Sequence, residues 1–234
     1  YLAACHLTED DFPEKIAGLA KADADRWREA ALLAGAKAAR GSSHSLWALA
    51  EELCFKPFDA DDKSARDEWG ALLAGQLIVE SADLFKLGEK NQATCKRIGS
   101  WLCAILGSDI LPALDRVAAG AALGALGDPR PEAMTLDGML FSWVAPGPFQ
   151  MGEDDDLHLN KTLDYGYWIA VHPVTNAQYQ VFVDDGGYDN AKFWPEAETA
   201  GYREGGSIKG RFDKKERSGP LDFGSPFHFE NHPV

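Results

Sequence analysis

Between Leu126 and Pro131 the chain reads Leu-Gly-Asp-Pro-Arg-Pro, and the spacing of its apolar residues changes across that stretch. Before it, Ala and Leu recur at helical intervals. Trp27, Ala31, Ala34 and Ala38 fall on one face, as do Leu46, Leu49 and Leu53, then Ile98, Leu102 and Ile105, then Leu114, Val117 and Ala121. Gly41-Ser42-Ser43, Lys56-Pro57 and Gly107-Ser108-Asp109 interrupt the pattern, the last offering a turn and an N-cap. Six or seven short helices follow, packed as a bundle or as a HEAT-like stack. Gly127 suits a left-handed helix end, and two prolines forbid continuation.

Beyond the boundary, aromatic and β-branched residues alternate with glycine. Met139–Val144, Pro146–Gly152 and Tyr165–Val171 read as short strands. One amphipathic helix is expected after Thr175 as N-cap, with Ala177, Val181 and Phe182 inward, until Asp184-Asp185-Gly186-Gly187 stops it. From there to Val234 loops should dominate. The fold class is therefore α+β: a helical domain at 1–127, a linker at 128–138 and a mixed domain at 139–234.

At 234 residues, 45% hydrophobic and 26% charged, the chain has the composition of a folded protein with room for two cores. Its net charge of -14 excludes a nucleic-acid surface and an anionic membrane surface as its main business, since both need clustered Lys and Arg. Apolar stretches such as Ile98–Leu106 and Leu111–Leu126 are too short or too interrupted to span a bilayer. No signal peptide is visible. Cys5, Cys54, Cys95 and Cys103 show no CxxC spacing and lie on helical segments, so free buried thiols in the cytoplasm are expected.

Three ordered segments carry a resemblance: Pro148-Phe-Gln-Met-Gly152, then Tyr167-Trp-Ile-Ala-Val-His-Pro-Val-Thr-Asn-Ala-Gln-Tyr-Gln-Val-Phe-Val183, then Asn231-His-Pro-Val234. Over about 139–234 the chain resembles the formylglycine-generating enzyme and sulfatase-modifying factor family. The resemblance implies the front half of a domain of C-type-lectin fold. The residues that bear the signature are Met151, Gly152, Pro173, Val174, Thr175, Asn176, Tyr179 and Phe182, and their chemistry is capping, turn formation and aromatic burial. Oxidases of the family use a late cysteine pair with copper, and those positions would follow Val234. No catalytic residue is carried over, and copper or calcium belongs to a complete domain.

Tyr1-Leu-Ala-Ala-Cys-His-Leu7, Trp27–Gly35 and Ala118–Arg130 resemble the helical arm behind the nucleotide-binding module of bacterial NACHT-type (STAND) signalling NTPases. Both chain ends then fall inside motifs, so a fragment of a larger protein is expected. No Gly-x-x-x-x-Gly-Lys-Ser/Thr loop occurs, so ATP binding by this piece is not expected.

His228-Phe-Glu-Asn-His232 places two imidazoles four apart, a metal pair if helical, but Pro226 and Pro233 flank it and favour a loop. Glu153–Asp156 lacks calcium-loop spacing and reads as a solvated turn. Lys209–Arg217 is the only basic run, blunted by Asp213 and Glu216, and Gly201–Gly210 reads as a mobile loop.

The resemblance favours a non-catalytic recognition or effector fragment of a bacterial signalling or defence protein. Its partner would be a protein, or a second chain completing the domain. The alternatives are the scaffold of a copper- and O₂-dependent formylglycine-generating oxidase, and a target-binding protein diversified by a retroelement.

Overall fold

The computed structural model describes residues 4, 6, 11–213, 215–225 and 227–234. Cys5 and most of the Tyr1–Leu7 motif lie outside the described residues, as do Lys214 of the basic run and Pro226. The chain divides into two compact units, Tyr1–Pro129 and Arg130–Val234. By content the protein is α+β, with a helical N-terminal region.

Among the described residues of the first unit, six numbered helices follow one another: α1 (Glu14–Ala22), α2 (Ala24–Gly41), α3 (Ser43–Leu53), α4 (Ala65–Ser81), α5 (Glu89–Leu106) and α6 (Ala113–Leu126). Asp23 and Ser42 cap α2 and α3 by accepting the amides of Arg26 and His44. Ser64 and Asp67 form a capping box at α4.

The centre of this unit is α4, whose Ala71, Leu72, Leu73, Ala74, Leu77 and Ile78 are buried and which touches α1, α2, α3, α5 and α6. A helix apolar on most sides needs neighbours on most sides. This hub makes the unit a bundle, because a HEAT-like stack would contact only successive repeats. Glycines allow the close approach: a Cβ on Gly70 would stand 2.1 Å from the carbonyl oxygen of Leu53. The core around α4 includes Ile16, Leu46, Leu49, Ile98, Trp101 and Leu102.

Two sequence expectations fail in this unit. Leu114 and Val117 are 83% and 68% exposed, while Ala119, Ala122 and Leu123 form the buried face of α6. Small residues win because α6 packs closely on α4 and α5, where Ala122 adjoins Gly75 and Leu123 adjoins Gly99. Nor does Gly107-Ser108-Asp109 cap α6, whose N-cap is Pro112 without a side-chain bond. The Ser108 hydroxyl instead donates to the buried Glu68 carboxylate (3.1 Å) and accepts from the Ile110 amide (3.1 Å).

The second unit opens with α7 (Pro131–Met134), so the stretch read as a linker is partly helical. Two antiparallel ribbons follow: β1 (Phe141–Val144) pairs with β4 (Tyr167–Ala170), and β2 (Phe149–Met151) with β3 (His158–Asn160). Then come α8 (Asn176–Asp184), α9 (Pro195–Thr199) and the hairpin β5 (Arg203–Glu204) with β6 (Ser207–Ile208). The hairpin corrects the reading of Gly201–Gly210 as a loop: Gly205 at φ 59° and Gly206 turn the chain between paired Glu204 and Ser207. The α8 helix begins after Thr175 as expected, yet its buried residue is Gln178 and Val181 is exposed.

No described helix is long and apolar enough to cross a membrane.

Candidate functional site

The polar groups of the second unit converge on the start of α8. Thr175 is the N-cap, its hydroxyl oxygen accepting from the Gln178 amide (3.3 Å), and the Gln178 side chain accepts in return from the Thr175 amide (3.1 Å). The Thr175 hydroxyl also donates to the Ala133 carbonyl in α7 (2.6 Å). The Gln178 amide group donates to the carbonyls of Glu132 (2.9 Å) and Thr135 (3.2 Å). Thr175 and Gln178 are buried, and each uses its side chain on backbone.

The neighbouring Asn176 binds the C-terminal segment. Its side-chain amide donates to the carbonyls of Phe227 (3.0 Å) and Phe229 (2.9 Å). The backbone amides of Asn176 and Ala177 donate to His232 and Glu230 carbonyls, both at 2.9 Å, and Val234 donates to Val174 (3.0 Å). Thr175 forms a bridge with Pro233. Helix-start amides without intrahelical partners are thereby satisfied by a segment some fifty residues on. The Pro173–Asn176 turn and Asn231–Val234, two of the segments singled out in the sequence, meet here.

Tyr179 and Phe182 enter an aromatic cluster with Tyr188, Phe193 and Trp194. The Tyr188 hydroxyl lies 3.2 Å from that of Tyr179, and burial first, then this hydrogen bond, pushes its pKa up to about 12. The Trp194 indole donates to the Gly187 carbonyl (2.8 Å). Arg203 ties the cluster down by donating to the Tyr188 and Asp189 carbonyls and pairing with Glu198. Sequence reading missed Gln178, Tyr188 and Arg203, although Gln at the third position after Thr175 is the second half of a capping box.

Met151 and Gly152 sit apart from α8, at the end of β2. Gly152, at φ 96°, turns the chain toward an exposed short helical turn at Asp154–Asp156. His228 and His232 lie on a loop, their rings against Phe229 and Phe227, and His232 Nδ1 is 2.7 Å from the Pro233 carbonyl oxygen. Residues 128–234 contain no cysteine, and no group of three His, Cys, Asp or Glu among the described residues could hold a metal. In the basic run, Asp213 accepts from the Gly210 amide and Arg217, which together hold its carboxyl below the usual range.

In the helical unit, burial pushes the Cys54 thiol up to about 11 and raises that of Cys95, which keeps both protonated at neutral pH. Arg97 joins Glu51 (2.9 Å) to the Cys54 carbonyl (2.7 Å), and Thr94 donates to Glu51. These are cross-links between α3 and α5.

Residues 126–220 match the family model of the sulfatase-modifying factor enzyme 1-like domain. The match covers the last residues of the first unit and the second unit as far as residue 220, so this part of the chain is similar to that domain. No curated protein and no solved structure matches the chain.

Proposed function

We propose that the second unit is a non-catalytic recognition module of C-type-lectin fold, carried behind a helical arm of the NACHT/STAND type in a bacterial signalling or defence protein. The observation that supports this is how the signature residues are used. Thr175, Asn176 and Gln178 commit their side chains to backbone groups of 132–135 and 227–229, so the most specific part of the motif works as scaffold. Large apolar side chains of the same unit, meanwhile, stand in solvent: Phe141, Trp143, Trp168 and Ile169 are each more than half exposed. Exposed apolar patches of this kind mark interaction surfaces. The proposed partner is a protein, and the setting is the cytoplasm.

The second reading is favoured by the family match itself: the unit is the scaffold part of a formylglycine-generating oxidase that takes copper and O₂ through catalytic cysteines outside residues 128–234, which contain none. The experiment that separates the two uses the full-length gene product, incubated with copper(I), O₂ and a cysteine-containing peptide, followed by mass spectrometry of the peptide. The recognition reading predicts unchanged peptide. Conversion of the cysteine to an aldehyde would replace it with the oxidase reading.

A further inference from the structure

Two features of the second unit coincide. The first is the β1–β4 ribbon, in which Phe141 pairs with Ala170 and Trp143 with Trp168, so these four share one face. The Trp143 and Trp168 rings lie 5.3 Å apart at 59°, and Trp143 rests on Gly166, where a Cβ would stand 2.2 Å from the indole. Phe141, Trp143 and Trp168 are 51%, 53% and 64% exposed. The second feature is charge: residues 131–191 hold ten Asp and Glu against one Lys and no Arg. An aromatic stripe within a strongly negative stretch of sequence is complementary to guanidinium and ammonium groups, which stack on indole faces and are attracted by the net negative charge of the unit.

We infer that the Phe141–Trp143–Trp168 face docks a protein partner through a segment that alternates Arg or Lys with apolar residues. The inference rests on the recognition reading above and specifies its ligand chemistry. Apolar side chains of the partner cover the stripe, its cations stack on the two indoles, and exposed carboxylates such as Asp154–Asp156 steer the encounter.

The test is fluorescence anisotropy with labelled ten-residue peptides of alternating Arg and Leu, Ser and Leu, and Glu and Leu. The Arg peptide is expected to bind about tenfold or more tightly than the Ser peptide, with affinity falling as salt rises. Trp168→Ser should weaken it about tenfold, with unchanged circular dichroism. Phe141→Ser gives the same readout should Trp168→Ser fail to fold. Equal affinity for the Arg and Ser peptides overturns the cationic ligand but leaves a recognition surface. Arg-peptide binding that both substitutions leave intact overturns the site. If no peptide binds and the protein sediments as a dimer that Trp168→Ser dissociates, the occupant is a second copy, and the inference fails while the surface stands.

Discussion

Thr175 carries three connections through one hydroxyl and one backbone bridge, and it is only 5% exposed. Removing the hydroxyl leaves the Ala133 carbonyl and the Gln178 amide without their partner. Thr175→Ala should therefore destabilise the second unit by about 1–3 kcal/mol, whereas Thr175→Ser should cost well under half of that. Urea unfolding followed by tryptophan fluorescence reads the difference. Glu68 is the opposite case, a buried carboxylate whose charge is a burden. Burial raises its pKa, only partly offset by the Ser108 hydrogen bond. A raised carboxyl pKa means that the folded state holds the proton more tightly than the unfolded state. Its contribution is thus most favourable below the ordinary carboxylate value and is lost as pH rises through the folded value. The stability of Glu68→Gln relative to the native protein should increase between pH 4 and pH 8, and a constant difference would show that Glu68 does not titrate as described.

Helices and turns were legible in the sequence where local chemistry decides them. The start of α8 was readable because Thr175 is an N-cap by its own side chain, and the ends of α2 and α3 because Ser42 terminates one and caps the other. The burial of Gln178 was not, since its partners, the carbonyls of Glu132 and Thr135, lie more than forty residues earlier. Periodicity also could not choose the inner face of α6. It shows which residues share a face, but two faces competed there, and the smaller side chains fit between α4 and α5. The same steric logic separates two glycines. Gly18 is exposed in α1 with nothing within 4 Å of an added Cβ, so Gly18→Ala should stabilise the helical unit by about 0.5–1 kcal/mol. Gly70→Ala would drive a methyl into the Leu53 carbonyl and should destabilise it by about 1–3 kcal/mol. Opposite shifts in melting temperature, up for the first and down for the second, are the expected signature.

As a whole molecule the protein is two units with different ways of holding together. The first buries Leu, Ile and Ala around α4, and residues 1–129 expressed alone should unfold cooperatively with a helical circular dichroism spectrum. The second keeps many large apolar groups at its surface and is organised by hydrogen bonds from the Pro173–Gln178 stretch to distant backbone. That division of labour underlies the functional proposal: motif residues build the scaffold, and the exposed aromatic ribbon is the proposed partner surface. Hydrogen exchange at the amides of Asn176 and Ala177 tests the first half most directly. If the segment 227–234 satisfies them, both exchange as slowly as amides within α8, and Asn176→Ala speeds them while the helical unit is unaffected. Exchange of both amides at free-peptide rates in the native protein would contradict the account.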